Sequence, residues 1–434
     1  MVDLPDAGGG EPPQTHRPRR SLWRVLGPGL ITGASDDDPS GIATYSQAGA
    51  QFGYQLAWTM PFSYPLLSAI QEITARIGRV TGQGLAGNMR QHFSPGLVRI
   101  MVGLLLVANT INLGADLGAM ADALRLLIGG PPHLYVVAFA LICIWLEVFL
   151  SYRRYVAILK WTTLSLLAYV ATVLVIEVPW GQVALDTLIP SITWERAYLV
   201  GIVAVLGTTI SPYLFFWQSS EEAEDERVDP KATRLIDAPE QAKDELRRIR
   251  VDTYIGMGYS QLIAFFILVT TASTLHAHGI TDIRTSAEAA EALRPIAGPF
   301  ASVVFALGII GTGMLAVPVL AGSAAYAIGE ARQWPTGLGR KPREAKAFYG
   351  TIAAATVVGI LINFLPIDPM KGLFWAAVIN GVVAVPIMVV MMVMASRPGI
   401  MGAFVLSRPL RLMGWLTTAV MTTAVLAMFW TMLF

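Results

Sequence analysis

Three consecutive carboxylates and a helix breaker, Asp36-Asp37-Asp38-Pro39-Ser40-Gly41, lie inside an otherwise apolar stretch running from about Gly27 to Tyr54. A carboxylate in a bilayer costs several kcal/mol unless it faces protein, water or a cation, and Pro39 and Gly41 interrupt the helix where the charges fall. Backbone carbonyls released by such a break, together with a carboxylate, make a hard, oxygen-rich nest for a cation. Asp38 is the expected charged ligand, with Ser40 and Gly41 shaping the turn around it. A competing reading has Asp36 to Asp38 capping a helix start at the membrane surface. Asp38 falls roughly fifteen residues past Arg24, roughly 22 Å at the helical rise, which favours a position deep in the span.

A second interruption, Gly207-Thr208-Thr209-Ile210-Ser211-Pro212, offers the carbonyl of Thr208 and the hydroxyl of Ser211. Asn380, in a later apolar stretch, is read equally as completing the coordination shell or as tying helices together. Asp116, within Asn112-Leu113-Gly114-Ala115-Asp116, is another intramembrane acid; pairing with an arginine, relaying a proton and lining a water path are all open to it. Glu147 is expected to pair with Arg153 at an interface. The single cysteine, Cys143, has no partner for a disulfide or a thiolate metal site and reads as a small core residue.

Those residues need helices to position them. The chain of 434 residues is 54% hydrophobic and only 14% charged, with a mean hydropathy of +0.56, which marks an integral membrane protein surrounded by lipid. A formal net charge of +1 opposes nucleic-acid binding. No HExxH motif or paired acid and base appears in the spans, so an enzyme is not expected. No cofactor and no obligate protein partner is implied. Residues 1–22 read as a disordered cytoplasmic tail without the apolar core of a signal peptide.

Apolar stretches near 24–50, 54–77, 97–128, 134–151, 155–177 and 197–217, then 253–276, 298–329, 348–365, 373–396 and 411–434, predict roughly eleven transmembrane helices. Arginines and lysines cluster on one side: Arg17 to Arg24, Arg76 to Arg90, Arg153 and Arg154, Arg227 to Arg250, Arg340 to Lys346, and Arg397 to Arg411. The positive-inside rule then places the amino terminus in the cytoplasm and the carboxyl terminus outside, in what is expected to be a bacterial inner membrane. The first and sixth spans, both broken, run in opposite directions, the mark of an inverted-repeat secondary transporter. The expected organisation is a first five-helix repeat over 23–177, a second over 178–396 with a solvated cytoplasmic linker at 221–250, and a loop with an eleventh helix over 397–434. Glu221, Glu222, Asp225 and Glu226 in that linker are alternatively an acidic exit vestibule.

Gly27-Pro28-Gly29, Asp38-Pro39 and Ala48-Gly49-Ala50-Gln51-Phe52-Gly53-Tyr54 resemble the first helix of the Nramp family of divalent-metal transporters. The likeness continues through Ala75-Arg76-Ile77-Gly78, Thr81-Gly82 and Asp116-Leu117, and is weaker in the second half. The resemblance implies an all-α LeuT-type fold of five plus five helices with the first and sixth unwound, and a metal site between them. Departures from the family pattern bear on the ion. The usual Asp-Pro-Gly-Asn is here Asp38-Pro39-Ser40-Gly41, and the usual Met-Pro-His-Asn is Ser211-Pro212-Tyr213-Leu214. A second family histidine aligns with Gln218, a glutamate with Ala119, and a glutamine with Asn380.

Loss of the soft thioether removes a device for rejecting magnesium and calcium, and the smaller Gly41 and Ser211 predict a wider cavity suited to a hydrated ion. The pattern resembles the Nramp-related magnesium transporter branch and implies Mg²⁺ transport with Mn²⁺ tolerated. All five histidines fall in tail or loops, which predicts no proton coupling. The alternatives are a proton-coupled Mn²⁺ or Fe²⁺ symporter of the same family, and an amino-acid carrier of similar fold, which Asp38 opposes because it would repel a substrate carboxylate.

Overall fold

The computed structural model describes residues 32–33, 35–149, 163–366 and 368–434. Among them there is no strand. The 1–22 tail, the opening of the first span, the Gly27-Pro28-Gly29 motif, Arg153, Arg154 and the start of the fifth span lie outside the described residues.

Helix α1 (Pro39–Phe52) is the second half of the first span, followed by α2 (Thr59–Thr81), the short α3 (Leu85–His92), α4 (Pro95–Ile128) and α5 (Pro132–Phe149). The fifth span is represented by α6 (Leu167–Val175), which turns by 120° into α7 (Trp180–Leu188). The sixth span divides into α8 (Arg196–Thr209) and α9 (Pro212–Val228). Then come α10 (Ala242–Thr274), the short α11 (Ser286–Glu291), α12 (Ala301–Arg332), α13 (Lys346–Ile362), α14 (Pro369–Ala395) and α15 (Arg408–Leu433). These follow the predicted spans closely. Among the described residues seven helices are both long and apolar enough to cross a membrane, or eight if the bent pair α6–α7 counts as one span. Span α2 is not one of the seven, and it buries Gln71, Glu72 and Arg79 on its inner face.

Proline fixes where the broken spans stop and restart. Pro212 has no N–H to offer Thr208, and its ring pushes Ser211 into extended backbone, φ −84° and ψ 133°. Helix α8 therefore ends at Thr209. The hydroxyl of Ser211 donates to Gly207 O and Thr208 O, both at 2.7 Å, and so covers two carbonyls at the broken end. At the other break Asp37 is a bend and Asp38 is extended, with Pro39 as the first residue of α1.

Small residues let the backbones around the breaks touch. A Cβ on Gly207 would collide with Ala377 O and the Gly381 amide, and one on Gly381 would lie 2.8 Å from Val203 O. Helices α8 and α14 thus cross in direct backbone contact one residue before Thr208 and one after Asn380. A Cβ on Gly33 would likewise collide with Gly256 on α10. Helix α4 packs against α12, α13 and α14, and α1 packs against α8, α10 and α14, so the breaks meet at the centre of the bundle.

The polar segment 221–250 is exposed along much of its length and buried at a few paired positions. Helix α9 runs on to Val228 and α10 begins at Ala242, leaving 229–241 as the connection. Some of its charges are paired: Glu222 receives Arg248 at 2.5 Å, and Arg79 lies 3.6 Å from both Glu226 and Glu245. Glu222 is buried on Arg248 rather than lining an open acidic vestibule.

The backbone contact at Gly207 yields a stability test. Gly207→Ala should destabilise the folded protein by about 1–3 kcal/mol through overpacking. Gly350→Ala, on a helix position with nothing within 4 Å, should be neutral or stabilising by up to about 1 kcal/mol. Thermal unfolding of the detergent-purified variants reads the contrast, and equal melting temperatures would contradict the close approach.

Candidate metal site

Asp38 caps the N-terminus of α1. Its Oδ1 accepts from the Gly41 amide and from Ser40 Oγ, both at 2.7 Å, as an N-cap does. The capping reading of the sequence is therefore correct in its chemistry and wrong in its place, because Asp38 is 1% exposed inside the bundle. Its other oxygen, Oδ2, accepts from Asn112 Nδ2 at 3.1 Å and Tyr213 Oη at 3.4 Å. The positive end of α1 acts in the same direction as these donors, towards negative charge on the carboxylate.

The structure brings Asp38, Ser40, Gly41 and Thr208 together. A Cβ on Gly41 would lie 3.3 Å from Thr208 Oγ1, Asp36 O and the Tyr45 ring alike. This corrects the expectation of a wider cavity at Gly41: Tyr45 and Thr208 occupy the space a larger side chain would need. Thr208 Oγ1 is buried without a hydrogen bond. Ser211 donates its hydroxyl proton back onto the end of α8 and so holds the break, while its oxygen lone pairs remain unused by these bonds.

Asn380 reaches the site through Asn112. Its Nδ2 donates to Asn112 Oδ1 at 3.4 Å, and its own Oδ1 is buried and unpaired. Asn112 Nδ2 also lies 3.5 Å from Asp116 Oδ2, while Asp116 Oδ1 has no partner. No arginine or lysine among the described residues pairs with Asp116, and the arginines at 17–24, 153 and 154 lie outside them. Glu147 is 8% exposed with Oε1 unpaired; its expected partner Arg153 is outside the described residues.

Several participants were not singled out from sequence. Asn112 links Asp38, Asp116 and Asn380, and Tyr213 holds Ser35 O at 3.1 Å as well as Asp38, tying α9 across the break in the first span. Asp36 and Asp37 share Ser260 Oγ on α10, at 2.6 and 3.1 Å. The signal for Asn112 was its position one helical turn before Asp116. Nothing in the sequence pointed to Ser260. Among the described residues no three His, Cys, Asp or Glu side chains form a metal-holding group. The direct partners of the Asp38 carboxylate are a serine hydroxyl, a backbone amide, an asparagine amide and a tyrosine hydroxyl. Cys143 is buried against Met314, away from any disulfide.

The chain matches the family model described as natural resistance-associated macrophage protein-like, or Nramp, over residues 29–431. It is 30% identical over 307 residues to the divalent metal cation transporter MntH of Ralstonia nicotianae, covering 68% of this chain and 66% of that protein. With the MntH of Deinococcus radiodurans identity is 26% over 411 residues, covering 92% and 88%. In three dimensions it superimposes on the Eremococcus coleocola manganese transporter, crystallised with an aromatic bis-isothiourea compound, with a TM-score of 0.70 at 20% identity, covering 96% of this chain and 88% of that one. MhsT in complex with L-phenylalanine gives a TM-score of 0.62 at 13% identity, covering 93% and 98%.

If Asn112 orients the carboxylate, Asn112→Ala should weaken divalent-metal binding about tenfold, the order expected for one hydrogen bond to a charged group. Calorimetry on the detergent-purified protein measures this; unchanged affinity would reduce Asn112 to a tie between helices.

Proposed function

Because the chain belongs to the Nramp family of metal transporters, we propose that it carries Mg²⁺, with Mn²⁺ tolerated, across the membrane by alternating access and without proton coupling. Asp38 is the charged ligand. The Thr208 carbonyl and the unpaired Asn380 Oδ1 are the neutral donors, with Ser40 and Gly41 setting the turn and Ser211 holding the second break. The observation that carries this reading is the company of the Asp38 carboxylate, which is bonded by the Ser40 hydroxyl, the Gly41 amide, Asn112 and Tyr213, with the positions of the family's thioether and first histidine taken by Ser211 and Tyr213. Such oxygen donors suit Mg²⁺, which keeps part of its water shell, better than a thioether-assisted site does.

The narrowness at Gly41 moves the argument for Mg²⁺ from cavity width to donor hardness. His276 bonds Ala50 O and His278 bonds Thr274 O, both far along the chain from the breaks, so neither supplies an imidazole beside Asp38. Uptake would then draw on the membrane potential, about 4.6 kcal/mol for a doubly charged ion at 100 mV. Asp116 is read as a group lining a water path or accepting a proton. The proposed setting is a bacterial inner membrane with the amino terminus cytoplasmic and the carboxyl terminus outside.

A second reading is a proton-coupled Mn²⁺ transporter. The manganese in the description of the Eremococcus coleocola transporter supports that choice of ion, and so does Met120: its Sδ and the Pro39 ring both crowd Gly313, which brings a thioether to the wall of the first break.

Liposomes loaded with Mg²⁺ and pH indicators separate the two. Under an inward Mg²⁺ gradient and an inside-negative potential, Mg²⁺ should enter without acidification, and Asp38→Ala should abolish entry. Uptake of Mn²⁺ alone, accompanied by protons, would establish the second reading instead.

A further inference from the structure

At the arginine- and lysine-rich end of the bundle a cleft of about 430 Å³ opens between α2 and the first turns of α10, lined by Arg76, Ala242, Lys243, Leu246, Arg247 and Arg250. Lys243, Leu246, Arg247 and Arg250 recur at three- and four-residue steps and therefore share one face of α10. Glu72, buried on α2, receives Arg76 at 2.5 Å and Arg250 at 3.2 Å. Lys243 and Arg247, both exposed, pair with no carboxylate among the described residues. Arg76 and Arg250 thus share a single buried carboxylate, while Lys243 and Arg247 stand beside them without an ion pair among the described residues.

The same face of α10 changes character further along the helix. Stepping on from Arg247, it presents Val251, Ile255 and Leu262, which are 40%, 57% and 53% exposed. In a span this apolar, large exposed aliphatic side chains face lipid chains. A cationic cleft directly continuous with a lipid-facing aliphatic strip matches a molecule with an anionic head and hydrocarbon tails. A free phosphate would use only the cleft.

We propose that this cleft binds the phosphate headgroup of an anionic phospholipid, whose acyl chains run along Val251, Ile255 and Leu262. Lys243 and Arg247 are the unshared cations that take the phosphate, and Arg76 and Arg250 form the wall behind it. Leu246 and Ala242 cover the glycerol region. The site is separate from the metal-binding breaks, and neither the identity of the metal nor proton coupling enters the argument.

Native mass spectrometry of the full-length protein released from nanodiscs of phosphatidylcholine and phosphatidylglycerol tests it. The wild type should retain phosphatidylglycerol over phosphatidylcholine. The double variant K243Q/R247Q, changing two exposed and unpaired side chains, should hold phosphatidylglycerol about thirtyfold more weakly, as expected for two surface cations near an anionic lipid. Arg90→Gln, which lines a different cleft, should leave retention unchanged. Equal retention by K243Q/R247Q and the wild type would overturn the proposal. Displacement of the lipid by millimolar inorganic phosphate would overturn it too, because the cleft would then be a site for free phosphate.

Discussion

A carboxylate held inside a membrane helix bundle is tolerable only where the backbone provides hydrogen bonds that an intact helix would keep for itself. Asp38 meets that constraint by becoming an N-cap: the break that places it in the interior also exposes the Gly41 amide and the start of α1 to one of its oxygens. The other oxygen faces outward from the cap toward Asn112 and Tyr213. One carboxylate is thus the structural lock of a broken helix and, in the function proposed here, the charge presented to a cation. An uncapped Asp38 would cost the helix its start, and a repaired helix would leave the charge without its amides.

The rest of the bundle serves this arrangement. The glycine contact between α8 and α14 lets the second break and Asn380 approach from one side, and the Gly33–Gly256 contact lets the opening half of the first span reach α10 from another. Asn112, on the long central α4, joins the carboxylates of Asp38 and Asp116 to the amide of Asn380. Pro39 and Pro212 each open the second half of their span, but the serines beside them act differently: Ser211 donates to the Gly207 and Thr208 carbonyls, whereas Ser40 donates to the Asp38 carboxylate. Two broken spans are what the LeuT-type repeat requires of its first and sixth helices.

Much of this was legible in the chain. Span positions followed from apolar runs, because a bilayer imposes a minimum length on each helix, and the breaks followed from Pro39 and Pro212, because a missing N–H has the same consequence in any helix. Side-chain neighbours were less legible. Asn112 reads as one polar residue in an apolar helix until three helices converge on it, and Ser260 becomes a partner of Asp36 and Asp37 only through a glycine contact one turn away. The expected widening at Gly41 failed for a similar reason: deleting a side chain on paper leaves a hole, whereas Tyr45 and Thr208 close it in the folded protein. The pairing of Glu222, Glu226 and Glu245 within 221–250 was not legible because Arg79 is brought in by another helix and Arg248 by the folding of the segment back on itself.

Anomalous diffraction from crystals grown with Mn²⁺, as a heavier substitute for Mg²⁺, tests the central claim most directly, because it locates the ion without reference to transport. The account predicts one strong peak at a coordination distance, about 2.0–2.6 Å, from an Asp38 carboxylate oxygen, with Asn380 Oδ1 and the Thr208 carbonyl turned toward it. A peak at Asp36, Asp37 and Ser260, with Asp38 still fully engaged as a cap, would contradict it and make Asp38 a structural residue alone.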